Sequence, residues 1–533
     1  MTSDSVSVVA AHPLATEAGL AVLRKGGNAV DAAIAVQFAL AVTVPRAGNI
    51  GGGGFLLASH EGQYYALDYR EKAPAKAFRD MYLDSLGNPI PEKSLEGWLA
   101  SGVPGSVAGL WEAHQKLGKQ PWSGLLEEAI RLAEEGFLIT EAEAKGLNAR
   151  QEAFRKYHPE ESPFLKKKWR AGDRLVQKDL AQTLRAIQSS GRDGFYEGPV
   201  AEAIASEMAR NGGWISERDL QNYLAVWRDA LVEDYQGYTI IAMPPPSSGG
   251  IAVLQMLEML EPFDLKQMGF QTAASIHLIT EVMSRAFADR ARYLGDPDFY
   301  PVPVTELLDP AYLSGHLANF SAGQHTPSEN IQERIPVAAE SLETTHTSIV
   351  DLDGNAVSVT TTLNSSYGSK VWVPQAGFFL NNEMDDFSVK PGVPNQFGLI
   401  GTEANAIAPG KRMLSSMTPM IVEKDGEVIL VAGAPGGPRI ITGTFQVVLN
   451  VLEYDLPLDS AVRAPRFHHQ WLPDVLRVED GFPPEVIGSL RAMGHDLKAI
   501  EGIARVKAIH KTPSDKWSGV GDPRSPDDDV AGF

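Results

Sequence analysis

The chain has 533 residues and no cysteine. Disulfides, thiol nucleophiles and cysteine-based metal sites are therefore excluded. Long hydrophobic runs are also missing. The longest apolar stretch, Val30 to Val44, carries Asp31 and Gln37, and a membrane span needs roughly 20 apolar residues. That stretch reads as a buried helix. Basic residues are scarce: 47 Lys and Arg face 67 Asp and Glu, the formal net charge is −20, and no basic tract exceeds Lys166-Lys167-Lys168. This argues against nucleic acid and anionic membrane surfaces as partners. It also means that an anionic substrate meets a repulsive global field, so local arginines must capture it. Residues 1–8 lack the basic-then-apolar pattern of a secretory leader. The first helical pattern starts near Pro13, as expected if a leader has been trimmed. No two of the 12 histidines show metalloprotease spacing, and His468-His469 are adjacent and cannot share a helix face. No metal and no cofactor are expected.

What is present is the composition of a globular protein with a sizeable core, 44% hydrophobic and 21% charged. Length allows about three domains or one large interleaved one. Ala15 to Leu23 is amphipathic, Gly26-Gly27 ends it, and Asn28 can cap the next helix with Asp31 in its first turn. The run Gly51 to Gly54 leads into strand-like segments, Phe55 to Ser59 and Tyr64 to Tyr69, around the hairpin signal Glu61-Gly62. Residues 105 to 290 read as mainly helical. Strand character returns at Thr344 to Val350 and Ala356 to Leu363, which flank a tight turn marked by Asp353-Gly354. A further strand, Val428 to Ala432, runs into Gly436-Gly437 and then a helical pattern through Leu452. Helices, strands and helices around a mixed sheet suggest a layered α/β arrangement.

Thr344-Thr345-His346 is an ordinary strand start by itself, since threonine is a good strand former. Its surroundings add to it. If the hairpin turns about Asp353, Thr344 faces Thr362, whereas a one-residue slip would bring Leu363 opposite and flip the face. The first register gathers the hydroxyls of Thr344 and Thr362 and the Asn364 amide at one hairpin end. A threonine hydroxyl is a poor nucleophile without a nearby base. Its own α-amino group can serve, but only after the chain is cut just before it. An unperturbed α-amine titrates at about 7.7–8.0, close to where a general base should sit. Three further clusters stand out. Asn381-Asn382-Glu383-Met384-Asp385-Asp386-Phe387 reads as a solvated acidic turn or as a site for an ammonium group. Ser415-Ser416, preceded by Lys411-Arg412, reads as a loop or as a carboxylate site. Gly436-Gly437 is a turn, or a pair of backbone N–H groups facing a developing oxyanion.

Together and in order, these segments resemble the γ-glutamyltransferase (γ-glutamyltranspeptidase) family. The resemblance runs from Gly26-Gly27-Asn28-Ala29-Val30-Asp31 through Asp68-Tyr69-Arg70-Glu71-Lys72 and the clusters above to Asp522-Pro523-Arg524-Ser525. It implies an α/β fold, the four-layer αββα sandwich of the N-terminal-nucleophile hydrolases. It also implies a precursor that cuts itself between Glu343 and Thr344. The products are a large subunit, residues 1–343, and a small subunit, residues 344–533, intertwined in one domain. The implied reaction passes the γ-glutamyl group of glutathione or a related donor, through an acyl-enzyme on Thr344, to water or to an amino acid or peptide. In this resemblance Thr344 is the nucleophile, and Thr362 holds its amine and assists processing. Arg70, helped by Ser415 and Ser416, pairs with the donor's α-carboxylate. Asn364, Glu383 and Asp386 surround its α-ammonium, and Gly436 and Gly437 form the oxyanion hole. The implied compartment is periplasmic or extracellular, with the cytoplasm as the alternative. The sequence departs from the family pattern in three places. Phe397 occupies the position of a lid-loop tyrosine in some relatives, Glu343 stands where glutamine occurs, and Ala504-Arg505-Val506-Lys507 is more basic than expected. The rival readings are a glutaryl-type cephalosporin acylase, which Asp386 argues against because a glutaryl group has no ammonium, and an inactive scaffold.

Overall fold

The structure is a computed structural model. It describes residues 1–159, 161–331, 344–390, 392–393, 395–396, 399 and 401–533, so Glu343 and Phe397 lie outside the described residues. Two antiparallel seven-stranded sheets lie face to face. The first has the order Asp529–Gly532, Ser7–Ala10, Thr344–Val350, Ala356–Thr362, Gly53–His60, Gln63–Asp68, Val226–Arg228. The second has the order Thr2–Ser3, Trp517–Val520, Lys507–Lys511, Glu427–Gly433, Met420–Lys424, Tyr238–Ala242, Leu231–Tyr235. The expected mixed sheet is thus a pair of antiparallel ones. The stretch read as mainly helical, 105 to 290, also contributes three strands between Val226 and Ala242.

Side-chain alternation along the strands builds the layers. In the first sheet Val8, Leu56, Ala58, Ile349 and Val357 pack on one side with helices Pro13–Arg24, Ala29–Thr43 and Ser106–Leu117. Their neighbours Val9, Phe55, Leu57, Val350 and Ala356 face the second sheet and share its core. The second sheet is covered on its far side by helices Gly249–Leu260, Ala273–Tyr293 and Arg439–Leu452. This is the expected αββα sandwich. Helix Ala29–Thr43 is buried on every side, which is why it shows no amphipathic stripe. Its N-terminus is closed as expected: Asp31 N–H donates to Asn28 Oδ1 at 2.9 Å and Asn28 N–H donates back to Asp31 Oδ2 at 3.1 Å. Among the described residues no helix is long and apolar enough to cross a membrane.

The basic segment near the C-terminus has a structural explanation at one position. Lys507 is buried, with Nζ 3.0 Å from Asp528 Oδ1. Asp522 and Arg524 of the terminal motif join Arg466 and Glu479 in a further ion-paired cluster.

Candidate active site

The site forms at the end of the central hairpin. Its register is the expected one: Thr344 pairs with Thr362, and Asp351 to Asn355 close the turn with Gly354 at φ 80°. Thr344, His346, Ser348 and Val350 therefore share the face turned toward the second sheet. His346 is buried there between Thr360 Oγ1 at 2.8 Å and Ser348 Oγ at 3.1 Å. The Thr344 and Thr362 hydroxyls are 3.4 Å apart, and Thr362 Oγ1 accepts from the Asn364 N–H at 2.7 Å. Asn364 holds φ 72°, the left-handed conformation in which its backbone N–H turns back to that hydroxyl. The Thr362 carbonyl accepts from Asn49 Nδ2 at 2.9 Å. A Cβ on Gly52 would lie 2.0 Å from this carbonyl, so the glycine run lets the hairpin end approach closely.

Thr344 opens into a small pocket that communicates with solvent. Arg70, Thr362, Asn364, Glu383, Asp386, Ser415, Ser416 and Gly437 all line it. Of the sequence-derived site residues only Gly436 does not reach the lining, and it is the immediate neighbour of Gly437. Both glycines have positive φ, 146° and 57°, between strand Glu427–Gly433 and helix Arg439–Leu452. Among the described residues neither of their N–H groups has an acceptor.

The charges are arranged around Arg70, which is buried. Its Nη2 donates to Asp386 Oδ2 at 2.5 Å, and Nη1 lies 2.6 Å from Glu383 Oε2 and 3.4 Å from Glu71 Oε2. The Glu383 contact is out of line for a hydrogen bond, and among the described residues neither Glu383 oxygen has a hydrogen-bonded partner. The same holds for Glu71 Oε1. Burial pushes all three upward against the attraction of Arg70: Glu71 to about 7 and Glu383 well above the carboxylate range, both also raised by neighbouring carboxylates, and Asp386 up by burial alone. Among the described residues, Glu71 Oε1 and both Glu383 oxygens thus stand as acceptors without a hydrogen-bond partner, a role that an incoming cation could fill.

Two members of this site were missed by sequence reasoning, Glu71 and Arg290. Arg290 lines the same pocket near the end of helix Ala273–Tyr293. Its Nε donates to Ser248 Oγ at 2.9 Å and its Nη2 to Ser416 Oγ at 3.2 Å. No carboxylate among the described residues lies in ion-pair contact with it. Burial lowers its pKa to about 10, against the attraction of Asp386. The signal for Glu71 was the charge density of Asp68-Tyr69-Arg70-Glu71-Lys72. Arg290 had only its place in an otherwise buried helix. Lys411 and Arg412, by contrast, turn away from the serine pair. Lys411 Nζ donates to the Ala404 and Ala406 carbonyls, and Arg412 sits against Asp68.

A family profile described as Gamma-glutamyltranspeptidase matches residues 15–532. A glutathione hydrolase proenzyme of Escherichia coli (strain K12) is 47% identical over 530 residues, 99% of this chain and 91% of that protein. A second, from Pseudomonas aeruginosa, is 48% identical over 503 residues, 93% and 89% of the two chains. Among solved structures, a cephalosporin acylase from Bacillus halodurans superposes with a TM-score of 0.87 at 27% identity, covering 100% of this chain and 96% of that one.

Proposed function

The chain belongs to the γ-glutamyltranspeptidase family, and from that premise we propose how its residues divide the work. It is an N-terminal-nucleophile hydrolase that cleaves and transfers γ-glutamyl groups. Thr344 Oγ1 first attacks the carbonyl carbon of residue 343, and water then releases the resulting ester. This leaves residues 1–343 and 344–533 as two subunits, with a free α-amine on Thr344. That amine takes the hydroxyl proton as Oγ1 attacks the γ-glutamyl carbonyl, and later gives it to the departing amine. The Gly436 and Gly437 N–H groups receive the oxyanion, and Thr362 fixes the nucleophile's position. Water or an amino acid or peptide then takes the γ-glutamyl group from Thr344. We assign glutathione as a donor on the strength of the relatives' names, and an exported, periplasmic or secreted compartment from the family resemblance read in the sequence.

The observation that carries donor recognition is the pairing of opposite charge requirements within one pocket. A γ-glutamyl donor bears a carboxylate and an ammonium on one carbon. The unsatisfied oxygens of Glu383 and Asp386's partly exposed carboxylate suit the ammonium, with Asn364 beside them. The Ser415 and Ser416 hydroxyls, which line the same pocket as Arg70 and Arg290, with Ser416 Oγ accepting from Arg290, suit the carboxylate. Arg290 adds the local cation that the chain's net charge of −20 demands. Mass spectrometry of the purified protein tests the first step: fragments 1–343 and 344–533 are expected, the second beginning at Thr344. The Thr344→Ala chain should stay whole and inactive toward a γ-glutamyl anilide. An active, uncut Thr344→Ala protein would end this reading.

A further inference from the structure

Away from the Thr344 pocket, histidines far apart in sequence converge. His277 and Glu281 stand one turn apart on the buried face of helix Ala273–Tyr293. His495 comes from the turn after helix Pro484–Ala492, 218 residues further along. One ligand atom from each of the three lies within 4.8 Å of the other two. All three residues are buried, but Gly494 and Asp496 on either side of His495 are exposed, so its ring is one layer below solvent. None of the three lines the catalytic pocket.

The hydrogen bonds around them already orient donor atoms inward. His277 Nε2 is 2.8 Å from the Ser321 carbonyl oxygen. A carbonyl only accepts, so the neutral ring carries its proton on Nε2 and turns the Nδ1 lone pair to His495 Nε2, 2.8 Å away. Glu281 is held from behind. Its Oε2 accepts from Arg285 Nη1 at 2.7 Å, and its Oε1 accepts from His325 Nδ1 at 2.7 Å and the Thr326 N–H at 3.0 Å. Such carbonyl- and side-chain-fixed imidazoles and carboxylates are the usual outer support of metal ligands.

We propose that His277 Nδ1, His495 Nε2 and a Glu281 oxygen form a binding site for a transition-metal dication of the zinc class. Two imidazoles and one carboxylate are a proven zinc donor set, and the i, i+4 spacing puts two of them on one helix face. A tetrahedral zinc ion with bonds of about 2.0–2.1 Å separates two nitrogens by about 3.3 Å, so the His277–His495 contact has only to open slightly. No net proton release is required: His495 moves its proton from Nε2 to Nδ1, and the ion takes the place of the hydrogen bond. Solvent supplies a fourth ligand. His277 and Glu281 precede Thr344 and His495 follows it, so the ion joins the two subunits. That bridging role rests on the cut before Thr344, whereas ion binding does not. The absence of metal-ligand spacing in the sequence has a simple cause, since the third ligand arrives from the other subunit.

The test uses the self-cleaved protein, stripped with a chelator and titrated with Zn²⁺ and separately with Co²⁺. Expected are one ion per pair of subunits with Kd below about 1 μM, a visible four-coordinate Co²⁺ spectrum, and a raised melting temperature. His495→Gln and His277→Gln should each weaken Zn²⁺ binding by at least about tenfold and leave γ-glutamyl hydrolysis at the wild-type level. The uncut Thr344→Ala chain should bind the ion equally well, which separates this site from the proposed processing. A wild-type protein that binds Co²⁺ only as the hexaaqua-like ion overturns the proposal, even if the variants fail to fold. So does Zn²⁺ affinity unchanged in both histidine variants, which would leave the pair a simple hydrogen-bonded clasp.

Discussion

Deleting Arg70 would leave Glu71, Glu383 and Asp386 packed together with no ion-paired cation among the described residues. Breaking a buried ion pair from one side typically costs about 3–5 kcal/mol, so Arg70→Ala should damage folding as well as donor binding. Arg290 gives the cleaner test of the carboxylate subsite, because removing it strands only the hydroxyls of Ser248 and Ser416. Arg290→Gln is expected to fold and self-cleave while raising KM for γ-glutamyl donors by about tenfold or more, the 1.4 kcal/mol scale of one charge-assisted contact. An unchanged KM would remove Arg290 from the subsite. Asp386 separates the γ-glutamyl reading from the acylase one. A glutaryl donor brings no ammonium to a pocket in which three buried carboxyls share the single cation of Arg70, and leaving that surplus negative charge desolvated is costly. Asp386→Asn keeps the shape and drops the charge. The ratio of kcat/KM for γ-glutamyl-p-nitroanilide to that for glutaryl-p-nitroanilide should fall at least about tenfold. A constant ratio with Thr344 chemistry intact would show that Asp386 does not read the ammonium. Thr344, Arg70 and Asp386 were legible because each sits in a dense local motif. Arg290 was not, since a buried arginine on a long helix reads like any core-facing cation until tertiary packing brings Ser416 to it.

At the scale of elements, the central hairpin and the Asn28 cap could be read from the chain, and edge strands could not. Asp353-Gly354 fixed the turn, and with it the Thr344–Thr362 register, because a one-residue slip would reverse every buried side chain. Val226–Arg228 and Leu231–Tyr235 are short, carry charges and lie at sheet edges, so neither alternation nor burial marked them. The start at Pro13 was visible, but the capping group was not. His12 Nδ1 accepts from the Leu14 N–H at 3.2 Å, a role only the neutral ring can fill. Burial pushes the His12 imidazole down to about 4, with Arg46 adding and Asp527 opposing. Because the unfolded ring titrates near 6.5, the unfolded state binds more protons between these values. Stability from this group is whole above pH 6.5 and is lost as pH falls toward 4. His158 and His495 are also depressed and act with the same sign, so only a difference isolates His12. His12→Asn keeps an acceptor for Leu14 and does not titrate. Its stability, measured against wild type from pH 7 to pH 4, should gain by up to about 3 kcal/mol at the acid end. Parallel pH profiles would show that His12 is not the titrating cap.

For the whole molecule, the proposed cut before Thr344 would fall inside the sandwich rather than between domains. Ser7–Ala10 pairs with Asp529–Gly532 on one side and with Thr344–Val350 on the other, and Gly53–His60 pairs with Ala356–Thr362. In the second sheet Thr2–Ser3 pairs with Trp517–Val520, and Tyr238–Ala242 with Met420–Lys424. Every one of these pairings joins residues before the cut to residues after it. Hydrolysing the peptide bond before Thr344 removes none of them. Pulling the fragments apart would expose strand edges in both sheets together with the apolar faces of Val9, Phe55 and Val350. The interleaving itself was not legible, because sequence patterns locate strands but carry little about which distant strands pair. The expected outcome is that fragments 1–343 and 344–533 co-elute in size-exclusion chromatography at any salt concentration and part only in denaturant. Fluorescence and circular dichroism should then report a single shared unfolding transition, as one cooperative unit requires. Raising the salt weakens surface charge pairs but not this hydrogen-bonded, apolar contact. Fragments that separate in native buffer, or that melt in two steps, would mean that each subunit holds a core of its own and that the strand order does not govern assembly.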